Sequence, residues 1–155
     1  MLILIYILAI AVLQTVVFPR LAFLGVVPDL ILVSAIVFAV VQQRTPATLF
    51  AAGAAFIQDL LSAGIYLNVI IKTIVSSVVG GIREKFVGDE YKFAAGMVAA
   101  ITPVCVLAEG LILFFVFQKQ VSPFFMLLKM IFSTLYNLVL LPVIFPVIKK
   151  ISHAQ

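Results

Sequence analysis

Five ionisable side chains interrupt otherwise apolar stretches of this chain: Asp29, Asp59, Lys72, Glu109 and Lys129. Acids and lysines in such places can form ion pairs, relay protons or hold a polar solute. Asp59 lies just before Ser62-Ala63-Gly64, a tight turn by composition, and Lys72 lies about two helical turns after it. Folding there brings their depths within about 6 Å, a gap that a lysine side chain bridges. Gln58 and Asn68 fall in the same layer. Counted from the turn at residues 119–122, Glu109 and Lys129 also match in depth, with Asn137 deeper. The expectation is two structural polar locks: Gln58, Asp59, Asn68 and Lys72 in one, Glu109 and Lys129 in the other. Interhelical polar pairs commonly serve as packing devices. The alternatives are a coupling or substrate site around Asp59 and Lys72, and a proton-relay carboxylate at Glu109.

Other chemistry lacks its parts. The only histidine is His153, in the terminal tail, and the only cysteine is Cys105, inside an apolar run. No His/Cys/carboxylate set with metal-ligand spacing is present. There is no GxSxG, no phosphate-loop lysine and no Ser–His–Asp combination. An enzyme, a metal centre and a cofactor site are therefore not expected, and one cysteine forms no internal disulfide.

The elements that must carry these groups are written in the composition. AVILMFWYC residues make up 65% of the 155-residue chain and DEKR residues 10%. A soluble domain of this size has about a quarter of its residues charged, so the medium around this one must be largely lipid. The length allows one integral-membrane domain, residues 1–155, with no separate aqueous unit. The net charge of +4 suits cytoplasmic loops of a membrane protein better than a nucleic-acid surface.

Six apolar segments are predicted as helices, at about residues 1–18, 27–41, 46–61, 66–82, 93–117 and 123–148. Lipid cannot satisfy free backbone groups, and the period-two alternation of a barrel is missing. The third segment reaches only about 24 Å against a hydrocarbon core of about 30 Å. It either sits in thinned membrane or forms a re-entrant hairpin with the fourth. Pro19 stops the first helix. Pro28-Asp29 opens the second, with proline in its first turn and an acid at its positive end. Thr45-Pro46 and Ser122-Pro123 open the third and sixth, and Gly80-Gly81 weakens the end of the fourth. Pro103, Pro142 and Pro146 fall inside helices. The first segment has no basic stretch before it and no small-residue cleavage site, so a retained membrane helix is expected.

Basic residues are sided. Arg44, Arg83, Lys85, Lys92, Lys149 and Lys150 lie after the second and fourth helices or near the ends, whereas only Arg20 and Lys119 lie on the other side. The positive-inside rule then places both termini in the cytoplasm. Small residues at helical spacing (Ala47, Ala51 and Ala55 with Gly53; Ala95/Ala99 and Gly96/Ala100) let backbones approach closely, within the bundle or against another membrane protein. The external loop at residues 18–27 is apolar. Leu21, Phe23 and Leu24 are candidate partner contacts, because an exposed apolar loop lies on a membrane or a partner.

Three stretches carry a family resemblance. Gln14 is followed by the apolar loop with Gly25 and then Pro28-Asp29-Leu30. Ala52-Gly53 precedes Gln58-Asp59-Leu60-Leu61-Ser62, a turn with Gly64, and Leu67-Asn68. The fourth segment closes on Gly80-Gly81-Ile82-Arg83. In these the chain resembles the MreD family of bacterial rod shape-determining proteins over roughly its first 85 residues. The second half matches in hydropathy only, and Ala63, Ile65 and Tyr66 stand where that family commonly has Gly or Pro. The resemblance implies an all-α polytopic protein of about six transmembrane helices, similar to the substrate-binding subunit fold of energy-coupling-factor transporters. It implies a non-enzymatic scaffold of the cell-elongation machinery in the bacterial inner membrane. That scaffold would bind MreC and help couple cytoskeletal MreB filaments to peptidoglycan synthesis. Pro28, Asp29, Gln58, Asp59 and Asn68 match recurring positions of the family, which implies that they shape the outer half of the bundle, with Pro28 and Asp29 as candidate partner contacts. The alternative from another class is a small-solute, vitamin-like binding subunit of a transporter.

Overall fold

The computed structural model describes residues 2–23, 25–42, 44–62, 66–118 and 122–153. Every regular element among them is helical; an isolated bridge pairs Phe23 with Val26. The helices are α1 (Leu2–Val12), α2 (Leu30–Val41), α3 (Arg44–Leu61), α4 (Leu67–Arg83), α5 (Glu90–Phe115) and α6 (Pro123–His153). A π-helical turn, Leu13–Val17, and a 3₁₀ turn, Phe18–Leu21, continue α1. Three continuous helical stretches are long and apolar enough to cross a membrane: Leu2–Leu21, Glu90–Phe115 and Pro123–Ser152. The chain is thus an all-helical protein of membrane-embedded type.

At the centre is α2. Its residues Leu30 through Val40 are all buried, and α3, α4, α5 and α6 pack around it. Twelve residues rise only about 18 Å, the length of a core helix rather than of a lipid-facing span. The neighbours show sided burial at helical spacing. α4 turns Lys72, Val75, Ser76, Val79 and Gly80 inward. α3 turns in Ala47, Phe50, Ala51, Ala54, Ala55 and Asp59. That alanine face lets α3 and α4 form the most extensive helix pairing in the molecule. Tyr6 of α1 reaches Ser34 of α2 through its hydroxyl at 2.8 Å, and the Phe38 and Phe50 rings stack at 4.4 Å.

Several boundaries differ from the sequence expectation. α3 begins at Arg44, before Pro46, and α5 begins at Glu90 because Asp89 caps it, accepting from the Lys92 amide. α4 runs through Gly80-Gly81, as expected, and ends one residue later at Arg83. Gly80 serves close approach there: a Cβ on it would lie 3.0 Å from the Arg44 Cα. Pro28 is not in the first turn of α2; the cap is Asp29, and Pro28 precedes it. Tyr66 opens α4 with φ 54, a left-handed conformation that glycine adopts without steric cost. The expected turn at Ala63-Gly64 lies outside the described residues, as does Lys119.

One end of the bundle gathers the C-termini of α2, α4 and α6 with the N-terminus of α5. Arg83 donates to the Val40 carbonyl and to Glu90, Lys149 donates to Glu90, and Gln42 donates to Ser152. The basic residues of the sided count mark this end.

Candidate functional site

At the opposite end of α2 its backbone amides point out of the first turn without helical partners. An unsatisfied amide in an apolar medium costs several kcal/mol. Three side chains from three elements answer it. The Asn137 Oδ1 of α6 accepts from the Asp29 amide at 2.8 Å. The Gln14 Oε1 accepts from the Leu30 amide at 2.7 Å. Asp29 itself accepts from the Leu32 amide at 2.9 Å. Gln14 also donates through Nε2 to the Pro28 carbonyl at 2.9 Å. It clamps both sides of the cap, and it does so from the π turn, where one extra residue per turn changes the facing of the helix. Asn137 donates onward to Thr102 of α5 at 3.1 Å.

Lys72 completes the layer. Its ammonium donates to Asp29 Oδ1 at 2.8 Å and to Gln58 Oε1 at 2.6 Å, and its side chain is 1% exposed. The expected Asp59–Lys72 pair is therefore corrected: the carboxylate facing Lys72 is Asp29. Asp59 binds elsewhere, accepting from Asn68 Nδ2 at 2.7 Å and from the Val69 amide at 3.1 Å. It holds the start of α4 against the end of α3. Depth along one hairpin did not reveal that a third helix supplies the counter-ion.

The second expected pair, Glu109 and Lys129, stands at 3.5 Å. This contact is looser than a charge-assisted hydrogen bond of about 2.8 Å. Both side chains remain partly exposed, Glu109 at 27% and Lys129 at 37%. They line a partly open cavity of about 380 Å³. Its wall also includes Asp29, Gln58, Asn68 and Asn137, and among the described residues it has no aromatic side chain.

The candidate partner contacts divide. Leu21 and Phe23 are exposed, and the Phe23 ring meets Phe132 edge-on at 6.0 Å. Leu24 lies outside the described residues. Pro28 is buried, and Asp29 is turned into the bundle as cap and counter-ion. These last two are thus not an outward partner surface. Two members of the layer were not foreseen as locks. Gln14 and Thr102 were legible only as polar residues within apolar helices, a signal with no direction attached.

Among the described residues no group of three His, Cys, Asp or Glu side chains could hold a metal ion. The arrangement ties helix ends together and leaves the Glu109–Lys129 pair, with Asp29, on the wall of a cavity. Comparison with protein-family models, with curated proteins and with solved structures gives no match to this chain.

Proposed function

We propose that the chain is a non-catalytic scaffold of the bacterial cell-elongation machinery, resembling MreD and binding MreC in the inner membrane. Its six-helix bundle would sit in that membrane around the enclosed α2, with both termini in the cytoplasm. The basic end at Arg83 and Lys149 would then face inward, and the loop bearing Leu21 and Phe23 would face the periplasm. The observation that carries the reading is the use made of the buried polar groups. Asp29, Asp59, Lys72, Gln14 and Asn137 all bond to a helix terminus or to another helix. Such bonds fix a shape, and a fixed shape with an exposed apolar loop is what an adaptor offers its partner.

Affinity purification of the full chain from membranes in mild detergent tests this reading. Recovery of a single-span protein with a periplasmic coiled coil is expected. Recovery of a pair of ATPase subunits instead would replace the scaffold with the transporter subunit.

A further inference from the structure

The Glu109–Lys129 pair differs from the other polar contacts in the layer. Lys72 and Asp29 are in close contact at 2.8 Å, with Lys72 shielded and Asp29 reaching the cavity wall. Glu109 and Lys129 are 3.5 Å apart, partly exposed, and turned toward a cavity. Charges held within an apolar bundle at such a distance retain unmet hydrogen-bonding capacity.

The neighbouring amides extend the pattern by their remaining atoms. Gln58 gives its oxygen to Lys72, which leaves its NH₂ as a donor on the cavity wall. Asn68 gives its NH₂ to Asp59, which leaves its oxygen as an acceptor. The wall thus carries acceptors, in Glu109 and Asn68, and donors, in Lys129, Gln58 and the Ser133 hydroxyl, while the Asp29 carboxylate on the same wall is engaged by Lys72. Within the layer Asp29 is balanced by Lys72, and Glu109 by Lys129. A ligand of net charge would leave one of these balances broken, and a neutral molecule carrying both signs would not.

We propose that this cavity binds a primary-ammonium zwitterion, its ammonium on Glu109 and Asn68 and its phosphate or carboxylate on Lys129, Gln58 and Ser133. A quaternary ammonium has no N–H to donate and is held by aromatic rings, which this wall lacks among the described residues. The volume of about 380 Å³ is at the small end of the roughly 300–1,000 Å³ of small-molecule sites. It admits a headgroup or a small amino acid rather than a large solute. Two sources share this chemistry: the ethanolamine headgroup of a phospholipid and a free amino acid. The inference does not depend on the scaffold reading, since partner recovery and zwitterion binding are measured separately.

The lipid arm is native mass spectrometry of the full chain released from nanodiscs of phosphatidylethanolamine and phosphatidylcholine in equal amounts. About tenfold preferential retention of the ethanolamine lipid is expected. The soluble arm is thermal unfolding of the detergent-solubilised chain with alanine or O-phosphoethanolamine, where saturable stabilisation is expected. Lipid selectivity or stabilisation by O-phosphoethanolamine identifies the headgroup as the source; stabilisation by alanine alone identifies a free amino acid. Both responses must disappear in Glu109→Gln and in Lys129→Met. The double variant Glu109→Gln/Lys129→Met, which removes both charges together, serves if a single one fails to fold. Equal retention of the two lipids with no stabilisation by either solute overturns the proposal. So does a response that survives these substitutions.

Discussion

Lys72 and Asp29 are 43 residues apart in the chain and 2.8 Å apart in space. That contact joins α4 to the first turn of α2. Asp29 Oδ1 accepts from both Lys72 and the Leu32 amide, so one carboxylate caps a helix and binds a neighbour. The rest of the cap supports this junction: Gln58 steadies the ammonium, Gln14 holds the backbone on either side of Asp29, and Asn137 accepts from the Asp29 amide.

Replacing Gln14 with Leu should destabilise the bundle although it adds apolar volume. The Leu30 amide and the Pro28 carbonyl would both lose their partner. A buried unsatisfied backbone group costs about 1–3 kcal/mol. Denaturant titration in detergent micelles measures the loss; an unchanged midpoint would show that these groups find other partners.

Two glycines should respond in opposite directions. A Cβ at Gly80 meets Arg44 at 3.0 Å, whereas one at Gly96 meets nothing within 4 Å. Gly80→Val should cost about 1–3 kcal/mol by overpacking. Gly96→Ala should gain up to about 1 kcal/mol from helix propensity. Thermal unfolding of the two variants side by side gives the comparison, and equal shifts would contradict the close approach of α3 and α4.

Asp89, at the exposed start of α5, is held below the usual carboxylate range, first by its hydrogen bond from the Lys92 amide. A lowered folded-state value means that its contribution is present above the unfolded carboxylate pKa. It is lost as pH falls through the folded one. The protection factor of the Lys92 amide, taken relative to intrinsic exchange at each pH, should therefore fall on acidification, and Asp89→Asn should flatten that dependence. An acid response identical in the variant would remove Asp89 from the cap.

The exposed loop gives the partner prediction. Leu21→Asp and Phe23→Asp should reduce recovery of the periplasmic partner while leaving the unfolding midpoint near that of the parent, since both side chains face outward. Undiminished recovery from both variants would move the interface elsewhere.

Much of the architecture was visible in the residues. The apolar runs and their proline and glycine punctuation located the helices, because lipid leaves helix as the economical way to satisfy backbone groups. Turn counting also placed Glu109 opposite Lys129. It failed for Lys72 because it compared depths only within the α3–α4 hairpin, whereas the counter-ion arrives from α2. Asp29 was legible as the acid of a helix start, which describes the cap without saying what surrounds it. Gln14 was out of reach for a different reason: the π turn at Leu13–Val17 shifts its facing, and a regular 3.6-residue count does not contain that shift. The cavity was not legible at all, since it depends on which atoms of Gln58 and Asn68 remain after their other bonds are made.

The measurement closest to the central claim is a double-mutant cycle on Asp29→Asn and Lys72→Met, read by reversible unfolding in micelles. Lys72→Met leaves a carboxylate that is 23% exposed without its cation and should cost less than the about 3–5 kcal/mol of a fully buried pair. The double variant should lose less than the two single losses added, with a coupling of about 1–3 kcal/mol. Losses that add to within about 0.5 kcal/mol would show that the two residues stabilise the bundle separately, and the polar layer would no longer be what joins α2 to α4.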